Sequence, residues 1–395
     1  MFDEAATAFR AEIKAFCESN LPDDIRSKVW LNQHLTKEDN LRWQRILHAK
    51  GWLTGHWPRE FGGLAWTRLQ RWLFEDEAYR CGSPWLVPFG VTYVAPVIYT
   101  FGSAAQQARW LGPTARSELW WAQGYSEPNA GSDLAHLSCR AERDGDTYIV
   151  NGQKVWTTMA GWADMIFVLV RTNPSAKPQH GISFLLVDLR SPGVTVRPIK
   201  SIDLDHHLHE VFFEDVRVPG DHLVGQEGAG WTYAKFLLGN ERLVSAEIGK
   251  ARRMMLLLRE FLHAIQEGGQ TLAADRNWRR RIAELDARTL AVEAVCMELF
   301  AQAEAGVDPG AKASVLKIFG SELLQAISAA TIDALGHAGL SYQRPALDAA
   351  WKGDLAAPPG AAGAVREYLH GRAATIYGGS NEIQRNIIAK SVLAL

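Results

Sequence analysis

Thr147-Tyr148-Ile149-Val150-Asn151-Gly152-Gln153-Lys154-Val155-Trp156-Thr157-Thr158 is the stretch that decides the fold. Its β-branched and aromatic residues favour extended chain, and Asn151-Gly152 is a strong two-residue hairpin signal. The same texture recurs nearby. Residues 166–170, 182–187, 194–196 and 211–218 are short apolar runs, with turn residues at 173–174, 191–193 and 219–220 between them. Several short strands in succession predict a small β-sandwich or barrel.

On either side of this block the apolar spacing changes from strand-like to helical. Residues before about 122 show helical spacing, as at Phe2, Phe9, Ile13 and Phe16, with breaks at Gly51, Pro58, Gly62-Gly63 and Gly82-Ser83-Pro84. Beyond about 229, residues 231–261, 276–304, 311–335 and 364–395 read as four long helices with short links, which predicts an antiparallel bundle. The expected organisation is a helical domain over 1–122, a β domain over 123–228 and a four-helix bundle over 229–395.

Composition narrows the function classes. With 395 residues the chain can bury a large core, and its formal net charge of −2 offers no footprint for nucleic acid. Its four cysteines are far apart, which fits neither a zinc site nor a disulfide framework and suggests reduced thiols in the cytoplasm. No metal site is expected. No apolar run of about 18 residues stands out, so no membrane span is predicted.

Three stretches carry the chemistry. Gln123–Asp133 clusters small residues, hydroxyls and free backbone N–H groups, which suits either a polar-edged ring with a phosphate or a plain loop. After Asn151-Gly152, Trp156 and Thr158 stand two apart and share one strand face. The indole is either a core residue or a stacking surface for a flat ligand. Ile376-Tyr377-Gly378-Gly379-Ser380-Asn381-Glu382-Ile383-Gln384-Arg385 sets two glycines before a helix start. That is either an ordinary helix stop or a close backbone approach to an oxygen ligand.

Together, in this order, the runs at 127–133, 151–156 and 376–390 resemble the acyl-CoA dehydrogenase family of flavoproteins over essentially the whole chain. Trp231–Arg242 is similar to the group that includes the large subunit of pimeloyl-CoA dehydrogenase. The resemblance implies a helical domain, a β domain and a four-helix bundle with FAD between them. It implies that Tyr125, Ser126, Trp156 and Thr158 contact the flavin ring. Ser132 would lie by the pyrophosphate or the CoA thioester end, and Ser380 and Glu382 would meet the ribityl and adenine end. The implied reaction is α,β-dehydrogenation of an acyl-CoA to a trans-2-enoyl-CoA, with electrons passed to an electron-transfer flavoprotein. A silent scaffold subunit and a flavin monooxygenase or oxidase are the alternatives on the same fold.

The chain departs from the family pattern in two places. Many members carry their catalytic glutamate directly after the tail tyrosine, where this chain has Gly378. The Gly378 N–H would then donate to the thioester oxygen. The base position used by a few members matches Glu241, with Arg242 orienting it. Homotetrameric members also carry an Arg-x-x-Phe-Gly segment that reaches a neighbour's FAD, and residues 268–278 contain none. His337 replaces the usual glycine of a second such contact. The expectation is an α2β2 hetero-oligomer with a related subunit, a homo-oligomer being the alternative.

Overall fold

A computed structural model gives the architecture and describes residues 3–241, 246–307 and 310–395, with backbone alone for 238–241. In chain order the helices before the sheet are α1 (Glu4–Asn20), α2 (Asp23–Trp30), α3 (Lys37–Ala49), α4 (Arg68–Arg80), α5 (Ala95–Phe101) and α6 (Ala104–Ala115). Then come β1 (Trp121–Gly124), β2 (Arg140–Asp144), β3 (Thr147–Thr158), β4 (Met165–Arg171), β5 (Ile182–Asp188), β6 (Val194–Ile199) and β7 (Leu208–Pro219). They are followed by α7 (Gly230–Glu241), α8 (Ile248–Ala264), α9 (Arg276–Glu304), α10 (Ala313–Leu335), α11 (Ala361–His370) and α12 (Asn381–Ser391).

The chain forms two compact units that do not follow its linear order. One takes Met1–Trp43, Trp66–Trp85 and Glu241–Leu395, and the other takes Gln44–Ala65 and Leu86–Asn240. Helices from the first 122 residues are therefore found in both.

The second unit is built on one curled seven-stranded sheet, ordered β1-β4-β2-β3-β7-β6 with β5 also on β4. Met165–Val170 is buried at every position, as a strand covered on both faces must be. Tyr148, Val150, Val168, Val187, Val211 and Phe213 meet in its core. The sheet corrects one sequence expectation. Asn151-Gly152 is not a turn, because β3 runs straight through it. The hairpin is closed by Gly145-Asp146, where Asp144 pairs with Thr147 and Gly145 has φ 59°. Glycine at the first central position is what a II′ turn asks for. Gly152 instead sits at a bulge, where the register with β7 shifts between Val150 and Gly152. A Cβ there would lie 2.7 Å from Cys139 Cα, so only glycine permits the approach. The Asn151 amide donates to Asp215 Oδ1 at 3.0 Å and accepts from Asp215 N at 2.9 Å, pinning the bulge across the strands.

The first unit packs α8 against α4 and α10, with α9 and α11 alongside α10. Leu257, Phe261, Leu335, Ala361 and Ala364 form an apolar cluster there. Two of the four expected long helices are interrupted. The stretch 231–261 divides into α7 and α8, and Glu247 before α8 has the left-handed φ of 45°. The stretch 364–395 divides at a 3-10 turn over Gly371–Thr375 and at the glycine pair. Gly310–Leu340 is long and apolar enough by composition to cross a bilayer, but 61% of its most apolar part is buried inside the protein, as a core helix would be.

Ionic links tie the bundle together. Asp76 of α4 accepts from Arg10 of α1 and, at 2.7 Å, from Arg252 of α8, which also reaches Glu293 of α9 at 2.6 Å. Lys250 and Glu367 pair at 2.8 Å, each side chain 17% exposed. Burial pushes the Glu367 carboxyl upward, but Lys250, His370 and Arg253 outweigh it and hold the pKa at about 2, against an ordinary 4.5. A depressed carboxylate stabilises the fold above the unfolded value, and the contribution is lost as pH falls towards the folded one. The stabilisation is therefore complete above about pH 4.5 and disappears by about pH 2. Glu367→Gln is expected to cost about 3 kcal/mol at pH 7 and to flatten the acid limb of a stability-versus-pH curve measured by urea unfolding. An unchanged acid limb would contradict this.

Candidate functional site

The sheet unit gathers four of the expected site residues around one buried ion pair. Lys154, fully buried on β3, donates to Glu127 Oε1 at 2.7 Å and to the Tyr125 carbonyl at 3.2 Å. Glu127 also accepts from Ser138 N, Ser138 Oγ and Cys139 N at 2.6, 2.8 and 2.9 Å. Burial raises the Glu127 pKa, but Lys154 and these backbone donors outweigh it and hold the carboxyl below its usual range. A buried carboxylate is stable only with such a complete set of partners. The pair fastens the loop after β1 to β3, and Val155 N donates to Ser126 O at 2.9 Å beside it. Tyr125 and Ser126 are thereby held against the part of β3 that leads into Trp156. The Tyr125 ring meets Phe167 edge-on with centroids 5.8 Å apart.

Trp156 departs from ordinary strand geometry. The register of β3 shifts again between Lys154 and Thr157, and Trp156 has φ 61°. Left-handed backbone is uncommon for a bulky residue and persists only where the surroundings enforce it. Here the bulge turns the indole outward, leaving it 59% exposed beside the fully buried Lys154. Thr157 points inward and Thr158 is half-buried. Ser132 lies exposed just after the Glu127–Ala130 turn, closed by Glu127 N to Ala130 O at 3.0 Å.

The tail lies in the helical unit. Gly378 and Gly379 have φ 65° and 80°, so both occupy backbone that other residues avoid. A Cβ on Gly379 would come within 2.6 Å of Gln384 Nε2. Ser380 caps α12 by accepting from Ile383 N at 3.3 Å. Glu382 follows in the first turn of α12, exposed, its carboxyl lowered first by its own backbone N–H and then by Ser380. The segment from Ile376 to Gly379 is exposed, while Ala374, Asn381 and Gln384 beside it are buried. Glu241 is the last residue of α7, with only its backbone described, and Arg242 lies outside the described residues. His337 falls in a 3-10 turn over Gly336–Leu340.

Profiles of three domains match nearly the whole chain: "Acyl-CoA dehydrogenase, N-terminal domain" over residues 3–118, the middle domain over 122–216 and the C-terminal domain over 228–393. The chain belongs to the acyl-CoA dehydrogenase family. It is 36% identical to acyl-CoA dehydrogenase IpdE1 of Mycolicibacterium smegmatis, covering 98% of this chain and 97% of that one. Its fold is similar to the Tcur3481-Tcur3483 steroid ACAD, with a TM-score of 0.86, 28% identity and coverage of 100% and 98%. The ChsE4-ChsE5 complex from Mycobacterium tuberculosis superposes with a TM-score of 0.84 at 30% identity, with coverage of 100% and 98%. As an acyl-CoA dehydrogenase the protein is an oxidoreductase of the CH–CH group of acyl-CoA thioesters.

Enzymes of this family generally use FAD, and the residues present fit it. An outward-facing indole and half-buried hydroxyls at Ser126 and Thr158 offer a stacking surface with polar edges. Two buried polar atoms, Thr157 Oγ1 next to Trp156 and Gln384 Oε1 next to the glycine pair, have no hydrogen-bond partner within the protein.

Sequence reasoning gave Glu127 and Lys154 no role, although both stand inside the quoted motifs. The available signal was a charged residue set among small and apolar neighbours in each. Their pairing across 27 positions was not readable from either stretch alone.

Proposed function

We propose that this acyl-CoA dehydrogenase uses FAD to convert a bulky acyl-CoA of steroid origin to its trans-2-enoyl-CoA and passes the electrons to an electron-transfer flavoprotein. The observation that carries the assignment is the tail turn, where Gly378 occupies the place in which many relatives keep a carboxylate. The base is then Glu241, at the end of α7. It removes the proton from the carbon next to the thioester carbonyl, and Arg242 orients it. The Gly378 N–H donates to the thioester oxygen as negative charge develops, which lowers the barrier to proton loss. FAD, when bound, would supply the hydride acceptor for the β-carbon. Tyr125, Ser126, Trp156 and Thr158 would hold its ring, and Ser132, Ser380 and Glu382 would serve its phosphates and adenosine end.

The steroid assignment is supported by the names of the similar proteins, including a steroid ACAD at a TM-score of 0.86. The proposed assembly is α2β2 with a second subunit of the same fold. It is supported by the compact hairpin Gln266–Glu267/Gln270–Thr271, turned by Gly268-Gly269 at φ 57° and 81°, where homotetrameric members extend an arginine. The test titrates the yellow protein with CoA thioesters of steroid side chains, straight fatty acids and dicarboxylic acids, alone and with a co-purified partner. Bleaching by the steroid thioester at least tenfold faster than by the others is expected. Equal rates, or a stable homotetramer of this chain with four FAD, would overturn the respective parts.

A further inference from the structure

Two of the cysteines, far apart in the sequence, meet in the helical unit. Cys17 closes the buried face of α1, and Cys81 is the residue that stops α4. These helices pack together, and the Cys17 thiol hydrogen-bonds to the Cys81 sulphur. Their backbones are firmly held. The Cys17 carbonyl accepts from Leu21 N at 3.0 Å and from Arg26 Nη2 at 3.1 Å. Cys81 N donates to the Glu77 carbonyl at 3.0 Å, and the chain turns at Gly82 with φ 85°. A Cβ on Gly82 would stand 3.0 Å from Arg26 Cγ and 3.0 Å from Trp30 Nε1, so α2 lies against that turn. Arg26 thus braces both places, its guanidinium at the Cys17 carbonyl and its stem beside Gly82.

The two thiols differ in access. Cys17 is fully buried, whereas Cys81 is half-buried and lines a cleft of about 380 Å³ with Lys14, Glu18, Arg26, Glu77 and Arg80. A cysteine buried for packing alone behaves as a small apolar residue. Cys139 and Cys296 fit that description, 1% and 0% exposed, and burial pushes their thiols up to about 11 and about 12. Cys81 does not. The Cys17 S–H donates to it and draws its pKa below the ordinary value, with Lys14 helping, against burial and the Glu77 and Glu18 carboxylates. Cys17, which gives that bond and is buried, is shifted the opposite way. The first proton therefore leaves the sulphur that faces the cleft. An accessible thiolate beside a second thiol is the arrangement that reacts with oxidants and then closes on its neighbour.

We propose that Cys17 and Cys81 form a peroxide-responsive thiol pair, in which Cys81 is oxidised first and Cys17 then closes a disulfide between α1 and α4. The Cys81 thiolate attacks one oxygen of hydrogen peroxide. An S–O bond forms, the O–O bond breaks, and the leaving hydroxide takes up a proton as water. Cys17 gives up its proton and attacks the sulphur of the Cys81 sulfenic acid. The S–S bond forms, the S–O bond breaks, and a second water leaves. The two thiols have then given two electrons and two protons to one peroxide. Sulphurs that already share a hydrogen bond need approach by only about 1–2 Å to reach bonding distance. Closure spares Cys81 further oxidation to a sulfinic acid, which ordinary thiols do not reverse.

The test treats the reduced, FAD-loaded protein, with its partner subunit if one co-purifies, with hydrogen peroxide. Remaining thiols are blocked with an alkylating reagent, and peptides are mapped by mass spectrometry under non-reducing conditions. The expected product joins the peptides of Cys17 and Cys81, is lighter than their sum by two hydrogens and is released by dithiothreitol. Cys81 should be consumed at least roughly tenfold faster than Cys139 and Cys296. In Cys17→Ser the cross-link is lost and Cys81 accumulates as a sulfenic acid that dimedone traps. In Cys81→Ser neither product forms and Cys17 stays reduced. If a variant does not fold, the wild-type time course decides, since dimedone must trap Cys81 before the cross-link appears. Oxidation of Cys81 to a sulfinic acid with no cross-link to Cys17, or consumption of all four thiols at one rate, overturns the proposal. Neither result touches the dehydrogenase reading.

Discussion

Glu241→Gln is expected to keep the yellow flavin spectrum and to lose acyl-CoA-dependent bleaching by roughly three orders of magnitude or more. A general base contributes about 10²–10⁴-fold by itself, and the amide can neither accept the α-proton nor hold charge beside it. The substitution conserves shape, so binding of the CoA thioester should change little, and stopped-flow absorbance separates the two. The bleaching rate collapses while the concentration dependence stays near that of the wild type. Bleaching within tenfold of the wild-type rate would move the base elsewhere in the chain. The position after Tyr377 could not supply it, because Gly378 has no side chain.

The second large effect is on the fold of the loop after β1. Lys154→Met fills the same space but removes the cation from Glu127, leaving a carboxylate that is 4% exposed with only the Ser138 hydroxyl and two backbone donors. Breaking one side of a buried pair typically costs about 3–5 kcal/mol. A loss of that size is expected in the free energy of urea unfolding. FAD retention should fall with it, since the loop carrying Tyr125 and Ser126 is fastened through Lys154. The double variant Lys154→Met/Glu127→Gln should recover part of the stability, because the remaining amide tolerates burial better than an unpaired charge. A single variant as stable as the wild type would show that the pair is not what fixes the loop.

The α, β, α order was legible in the sequence because it follows from period, and period survives in any long element. The strands at 165–171, 182–188 and 208–219 stand where the apolar runs predicted them. Asn151-Gly152 misled for a local reason. The pair supplies backbone freedom, and a bulge needs that as much as a turn does. Only the close approach of Cys139 to Gly152, 13 residues apart in the sequence, decides between them. The break between α7 and α8 escaped notice because helical periodicity continues across it, whereas the glycine pair before α12 was visible as a helix stop. At the candidate site, the residue types left Trp156 open between a core residue and a stacking surface, and the structure leaves its indole exposed. The fixtures behind the site residues were not legible. Glu127 with Lys154, and Lys317 of α10 with the Ala374 carbonyl, are pairings of groups 27 and 57 residues apart. Neither partner signals the other.

The apolar helix α10 also bears on the order in which this protein can be completed. Its Lys317 leaves the ribosome well before the Ala374 and Asn381 groups that it bonds, which lie 57 and 64 residues later in the chain. Until residues 371–381 arrive, the Ala374 carbonyl and the Asn381 side chain are not there to receive Lys317 and Ser321, so the last-made turn is the one that completes these contacts.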